Sequence, residues 1–295
     1  MIATIYDAMR AALTRRRPGA VGQDLAERTI SDFGVQWTHF QDADGFFGSA
    51  ALLTDTFGPL LTSADLAGRR VADIGAGAGR FTNVFLDAGA AHVVAVEPSD
   101  AIVVMKQNTA ARAAQITYLN VRGDALPAGL DLDAAFSIGV LHHIPDPVPV
   151  LVAAREALRP GGNFFGWLYG REGNWLYLAL LAPLRLASAL LSHRMLLALS
   201  WLLYWPLRAY IALARPVTLP LGDYVVRVLG PLTPEKVRLV IYDQLNPAYA
   251  KYYRRDEVYD LFERAGFVDI QLYHRHGYSW AVRARRPGAE GPQRA

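Results

Sequence analysis

The sequence predicts an α/β fold built on a mostly parallel sheet. Two observations carry that prediction. A β-branched run, Val71-Ala72-Asp73-Ile74, passes directly into Gly75-Ala76-Gly77-Ala78-Gly79. A second β-branched run, Val93-Val94-Ala95-Val96, follows and ends in Glu97. Strand, glycine turn, helix and strand in that order make a βαβ unit, whose two strands pair in parallel.

The remaining elements follow from the pattern. Residues 1–60 read as an N-terminal helical segment, with an amphipathic helix over 2–16 carrying Ile2, Ile5, Met9 and Leu13 near one face. A Pro/Gly-rich break follows at 17–23, and an aromatic stretch, Phe33 to Phe40, precedes the core. Strands are expected near 70–74, 92–96, 116–121, 132–138 and 163–169, and helices near 79–88, 100–113 and 147–158. Ser99 suits the N-cap of the second of these helices, and Asp146 caps the one entered through Pro147. A hairpin, Val268–Tyr273 with Ser279–Ala284, turns through His276-Gly277, and His274 and His276 read as surface residues. The segment 286–295 is rich in Pro, Gly and charge and is expected to be disordered.

The glycine spacing selects the ligand. A dinucleotide loop reads G-x-G-x-x-G/A and brings a pyrophosphate to a helix N-terminus. Here the order is Gly75-x-Gly77-x-Gly79, and Arg80 stands where the third small residue belongs. Asp73 would repel a pyrophosphate and attract an ammonium or sulfonium. Glu97 ends the second strand, where a carboxylate can accept from two ribose hydroxyls. A ligand with a ribose, an amino group and no phosphate fits, namely S-adenosylmethionine (SAM).

With those motifs in place, the chain resembles the class I SAM-dependent methyltransferases of the ubiquinone/menaquinone-biosynthesis type. Asp73 to Gly79 resembles their methionine-binding loop, and Glu97 their ribose acid. Gly123-Asp124-Ala125-Leu126-Pro127 resembles the adenine loop, with Asp124 facing the adenine amino group. Asp133 to Ile144 resembles the fourth strand with its active-site loop, and Leu158-Arg159-Pro160-Gly161-Gly162 the turn before the fifth strand. The resemblance covers roughly 68–168 and resumes near 255–285. It implies a Rossmann-like, seven-stranded, mostly parallel sheet with an antiparallel last strand, N-terminal helices and a helical insertion. The methyltransferase domain would span 61–285, with the insertion at about 170–255. The implied cofactor-binding residues are Asp73, Gly75, Ala76, Gly77, Gly79, Glu97, Pro98, Gly123, Asp124, Ala125, Ser137 and Ile138.

Composition narrows the chemistry. The chain has no cysteine, which excludes thiolate metal sites, cysteine nucleophiles and the iron–sulfur cluster of radical SAM chemistry. No metal is called for. A net charge of +3 is too mild to argue for nucleic acid, so none is expected as a partner. Arg10, Arg15, Arg16 and Arg17 interrupt any signal-peptide core, and a cytoplasmic location is expected.

Residues 173–222 stand apart, with no Asp, Glu or Lys. Arg185, Arg194, Arg208 and Arg215 alternate with apolar runs that hold Trp175, Trp201 and Trp205. A span needs about 20 predominantly apolar residues. The arginines, with Pro183 and Pro206 as helix breakers, argue for shorter amphipathic helices instead. Three readings stay open: a lid over a lipophilic acceptor, peripheral contact with an anionic membrane surface, or a cap packed on its own domain or on a second subunit.

The expected activity is methyl transfer, in a biosynthetic step, to a small hydrophobic acceptor such as a lipid, a quinone or a natural product. A non-catalytic SAM-binding or membrane-docking protein and an NAD-dependent oxidoreductase are the alternatives. His142 and His143 follow strand four at the sheet edge where such folds bind ligands and are the candidate catalytic bases. The alternative for the pair is a role in shaping the loop. Trp37, Tyr242, Tyr249 and Tyr252 are the candidate acceptor wall.

Overall fold

The computed structural model describes residues 23–42, 45–188 and 191–288. The helix expected at 2–16 and most of the tail lie outside them. Helix α1 (Gln23–His39) and α2 (Ala50–Phe57) lead into β1 (Arg70–Ile74), α3 (Arg80–Asp87), β2 (His92–Val96), α4 (Ala101–Asn108) and β3 (Ile116–Leu119). There follow β4 (Leu132–Ile138), α5 (Val148–Ala157) and β5 (Leu158–Tyr169). Then come α6 (Trp175–Ser188), α7 (His193–Ala214), a short turn Gly222–Tyr224 with a π-helical turn Val225–Leu229, and α8 (Pro234–Leu245). The chain closes with α9 (Arg255–Arg264), β6 (Val268–Arg275) and β7 (Ser279–Arg285).

The seven strands form one sheet in the order β3-β2-β1-β4-β5-β7-β6. The first five are parallel, and β7 runs antiparallel to both β5 and β6. This is the fold class expected. Alternation along β1 explains the burial of both faces. Val71 points to a cluster with Phe57, Phe85, Met105, Phe136 and Phe165, under α2, α3 and α4. Ala72 and Ile74 point to the opposite cluster with Leu151, Phe164 and Phe262, under α5 and α9. The strand order reverses between β1 and β4, and ligands bind at such a switch point, beyond the carboxyl ends of the strands.

Several local expectations need correction. The helix expected over 100–113 ends at Asn108, and a 3-10 turn with Arg112 at φ −124° carries the chain to Gln115. Strand β3 stops at Leu119. Pro160-Gly161-Gly162 lies within β5, where the register with β4 slips, rather than before the strand. Asp100 holds the α4 cap position without a side-chain bond, and Ser99 supplies one from the residue before it: its hydroxyl accepts from Ala101 N–H at 3.2 Å while donating to Glu97 Oε1 at 2.5 Å.

The insertion has its own core. Leu178, Leu181 and Leu196 from α6 and α7 pack on Tyr242 and Leu245 of α8. Tyr204 and Ile211 of α7 pack on Val225, Leu229 and Val237. Pro183 and Pro206 do not break their helices. A proline displaces the carbonyl four residues earlier. Here those residues are Ala179 and Leu202, both exposed, so water can satisfy the freed oxygens. Consequently α7 runs for 22 residues and, among the described residues, is the one helix long and apolar enough to cross a membrane by length and composition. Leu196, Ser200, Tyr204 and Ile211 pack it onto the insertion, but only 22% of its apolar window is buried, and Met195, Trp201, Leu202, Trp205 and Leu213 are exposed.

Candidate active site

The glycine loop leaves β1 at the switch point. Gly75, Gly77 and Gly79 have φ of 80°, 55° and 83°. A Cβ on Gly75 would lie 2.4 Å from Val140 Cγ2, and one on Gly77 would lie 3.0 Å from Trp37 Nε1. Trp37, from α1, thus lies over the loop, and the N-terminal segment folds onto this end of the sheet. The loop opens on a cavity of about 420 Å³ that extends beneath the insertion.

Two buried acids flank the loop. Asp73 accepts the Thr82 hydroxyl at 2.7 Å. Its pKa is raised to about 6 because burial disfavours the anion, against the opposing pull of Thr82 and Arg80. Glu97 accepts Gly77 N–H at 2.9 Å through Oε2, and Ser99 N–H at 2.9 Å with the Ser99 hydroxyl through Oε1. Burial raises its pKa, and those three bonds oppose the rise. A carboxylate offers about four acceptor sites. One is left for a ribose hydroxyl, where the sequence suggested two. Arg80, at the anomalous loop position, is buried among the Phe47 and Phe81 rings, its charge favoured by Asp73 and Asp243. Asp124 lines the cavity while Arg122 holds it at 2.8 and 3.1 Å.

Of the expected cofactor residues, Asp73, Gly75, Ala76, Gly77, Glu97, Pro98, Gly123, Asp124 and Ile138 line the cavity. Gly79, Ala125 and Ser137 stand outside its lining. The backbone of Gly79 packs on Met105 and Thr109, and Ser137 is fully buried in β4.

The two histidines separate. His142 is fully buried, stacks on Tyr169 at 3.7 Å between centroids, and is absent from the cavity lining. His143 lines the cavity, and its Nδ1 bonds the Tyr249 carbonyl at 2.8 Å. A carbonyl only accepts, so Nδ1 carries the proton and Nε2 is the basic nitrogen of the neutral ring. Burial lowers the His143 pKa to about 4, only partly offset by Asp243 and the Tyr249 carbonyl. His143 is therefore neutral at pH 7 and a weak base.

Of the expected acceptor wall, Trp37 and Tyr252 line the cavity. Tyr242 and Tyr249 are buried outside it. The Tyr242 hydroxyl meets His193 Nδ1 at 2.7 Å, and Tyr249 contributes its carbonyl to His143. Sequence reading missed a directed relay around Asp243. Tyr177 and Tyr252 donate to Gln244 Oε1 at 2.7 and 3.0 Å. Gln244 Nε2 donates to the Tyr169 hydroxyl at 2.7 Å, and that hydroxyl donates to Asp243 Oδ2 at 2.9 Å. From α1, Gln36 Nε2 donates to Asp243 Oδ1 at 2.8 Å. The tyrosines bore a visible signal, since four of them crowd 242–253, but the meeting of α1, β5 and α8 has no sequence signature.

The hairpin adds a charged rim. Arg275, 4% exposed, pairs with Asp55 through Nε at 2.9 Å and through Nη2. His276 Nε2 reaches the other Asp55 oxygen at 2.7 Å. Burial pushes the Asp55 carboxyl up, but the Arg275 and His276 contacts prevail and hold it below its ordinary value. Of the two histidines expected at the surface, His276 is exposed and His274 is not. His276 is tied to α2, and His274 is half-buried and stacked on Trp280 at 4.1 Å.

Residues 72–164 match the model of a methyltransferase domain. The chain thus carries a methyltransferase domain of the class I, SAM-dependent type. Two solved structures share the fold at low identity. Human N-acetylserotonin methyltransferase, in complex with SAM, aligns with TM-score 0.55 and 14% identity over 96% of this chain and 66% of that one. A Burkholderia thailandensis 1,6-didemethyltoxoflavin-N1-methyltransferase aligns with TM-score 0.51 and 18% identity over 92% of each. In sequence, the tRNA U34 carboxymethyltransferase of Chromohalobacter salexigens is 39% identical over 104 residues, 33% of this chain and 31% of the relative. That of Marinobacter nauticus is 36% identical over 105 residues, 34% and 31% of the two chains. The chain spans under a third of the length of these relatives. The finer resemblance to quinone-biosynthesis enzymes has no support among them. The expectation that nucleic acid is not a partner is overturned, because these relatives are named for tRNA.

Proposed function

We propose that the protein transfers the methyl group of SAM to a planar, hydrogen-bonding ring. One observation supports this above all: a single cavity joins Glu97, Asp124 and the glycine loop to the aromatic chamber around Asp243. The residues fit the cofactor. Glu97 and Asp124 suit the adenosine end, and Asp73 suits the methionine ammonium. The bound cofactor supplies an already activated methyl group. The chain then has to align the acceptor, which is worth on the order of 7–11 kcal/mol in the best intramolecular models.

The chamber favours a ring over a lipid. Tyr169, Tyr177 and Tyr252 line it with aromatic rings, while Asp243 and Gln244 keep further hydrogen-bonding capacity that an alkyl chain would not use. The lining also carries more acids than arginines, which suits a sulfonium and disfavours a phosphate inside. A nucleobase turned out of tRNA meets these terms, with its phosphates left outside, and the names of the relatives point the same way. A free heteroaromatic or phenolic ring presents the same chemistry.

The test begins with calorimetry of SAM and S-adenosylhomocysteine (SAH) on the full chain. Methyl-labelled SAM is then incubated with total tRNA and, separately, with a fractionated small-molecule extract. Label in tRNA nucleosides selects the nucleobase, and label in a free ring compound selects the other source. Absence of SAM binding overturns the reading, as does label confined to lipids without a ring.

A further inference from the structure

The relay under the insertion has a direction. The hydroxyls of Tyr177 and Tyr252 donate to Gln244, Gln244 donates to Tyr169, and Tyr169 donates to Asp243. Gln36 donates to the same carboxylate from the opposite side, with its own Oε1 accepting from Asn246 at 3.3 Å. Every donor in the chain thus leads to Asp243. Burial and the Asp243 charge raise the Tyr169 pKa well above its ordinary value, so that hydroxyl keeps its proton. Two of the roughly four acceptor sites of the carboxylate are filled by Gln36 and Tyr169. The group lines the cavity, with Arg80 and His143 near enough to feel its charge.

We infer that Asp243 is the centre of an acceptor subsite for rings bearing an acidic N–H or O–H, such as an imide or a phenol, and that its carboxylate receives that proton during transfer. This deepens the proposed function and rests on it. The ring lies among Tyr169, Tyr177 and Tyr252 with its N–H or O–H donated to Asp243. In the reaction that N–H or O–H bond breaks and its proton passes to an Asp243 oxygen. The lone pair of the ring heteroatom forms the bond to the methyl carbon, and the S–C bond breaks with its electron pair left on sulfur. The products are the methylated ring, the neutral thioether and one proton, which Asp243 releases to solvent. Asp243 suits this better than His143, because two donors fix its orientation at the cavity wall and a carboxylate keeps acceptor sites for the N–H or O–H of the ring. His143 contributes a neutral Nε2.

The test uses SAH-saturated full-length protein and two probes, 4-nitrophenol and 4-nitroanisole. They differ only in that the second has no proton to donate. The phenol is expected to bind at least tenfold more tightly than the anisole. Next to the carboxylate its ionisation, read by visible absorbance, should move to higher pH than in free solution. Asp243→Asn should bring the binding ratio near unity and remove the absorbance shift, and Asp243→Glu should restore part of both, with SAH affinity unchanged throughout. Equal binding of the two rings to the wild type overturns the inference, and so does a ratio unaffected by Asp243→Asn. If SAH binds but neither ring does, the subsite is wrong and the cofactor reading stands. If SAH does not bind, the cofactor reading falls and takes the subsite with it. The comparison on the wild type needs no variant, so a misfolded Asp243→Asn leaves it decisive.

Discussion

Replacing Glu97 by Gln changes one oxygen to an NH₂ group and exposes how the loop is held. Both carboxylate oxygens face backbone donors, Gly77 N–H at Oε2 and Ser99 N–H at Oε1, each at 2.9 Å. An amide cannot satisfy both. With its NH₂ toward Gly77, the Gly77 N–H is orphaned. With its NH₂ toward Ser99, the hydroxyl can turn to accept, but Ser99 N–H is orphaned. Either way one buried donor is unpaired, at about 1–3 kcal/mol. Relief of the desolvation that raises the Glu97 pKa acts in the opposite direction, so the net loss lies toward the lower end. In domains of 150–250 residues, Tm falls by roughly 2–4 °C per kcal/mol.

The same change should weaken the cofactor. A hydrogen bond to a charged acceptor is worth about 1.5–3 kcal/mol, and about 1.4 kcal/mol is a factor of ten. SAM affinity should fall on the order of ten- to a hundredfold. On the proposed reading Glu97 meets the ribose, which SAM and SAH share, so both should weaken by the same factor. Thermal melts and calorimetry with both ligands check this. An unchanged Tm would refute the orphan-donor argument. A lowered Tm with unchanged affinity would leave Glu97 as a loop brace that touches no ribose.

Three further outcomes are expected. The rise of the Asp73 pKa from 3.8 to about 6 corresponds to roughly 3 kcal/mol. The native state binds this proton first as pH falls, so the anion costs stability above about pH 6, and the cost disappears toward pH 3.8. Asp73→Asn, which still accepts from Thr82, should therefore melt higher than wild type at pH 7.5 and bind SAM less tightly; a lower melt would refute the desolvation argument. His143, at about 4, behaves in the opposite sense, because the unfolded chain takes the proton first and stability falls as pH drops from 6.5 toward 4. His143→Asn should flatten the melt-versus-pH curve in that window, and an unaltered curve would place the loss elsewhere. Gly75→Ala puts a Cβ 2.4 Å from Val140 at a φ of 80°, so SAM binding should be lost. Adding Val140→Ala should recover only part of it, since left-handed strain of about 1–2 kcal/mol remains; full recovery would mean that the clash alone mattered.

How much of this was legible in the sequence follows from how local each signal is. The βαβ core was readable because β-branched runs, Gly75 to Gly79 and Glu97 lie within one short stretch and constrain each other. The helix boundaries slipped where the chain tightened locally, as when the helix expected to run to 113 gave way after Asn108 to a 3-10 turn. Pro183 and Pro206 misled because breaking a helix depends on whether the displaced carbonyl can reach water, and exposure is a tertiary property. The His142-His143 pair was conspicuous, yet adjacent residues in a tight turn point in different directions, and only His143 reaches the cavity.

The acceptor chamber was the least legible part for the same reason. Gln36, Tyr169 and Asp243 are ordinary residues 133 and 74 positions apart, as Tyr169 lies between the other two, and they converge only because α1 and α8 both pack over the end of β5. No spacing rule finds such a group. What could have found it is charge accounting. Residues 173–222 hold no acid, and Asp223 and Asp243 are the first acids on the cavity wall after them. Asp223 is 89% exposed at its side chain and pairs with Arg227, while Asp243 is held by two neutral donors beside buried tyrosines. A carboxylate kept in a mostly apolar lid with neutral partners is costly unless a ligand completes it. That cost is the physical reason to assign Asp243 to the acceptor and not to the fold.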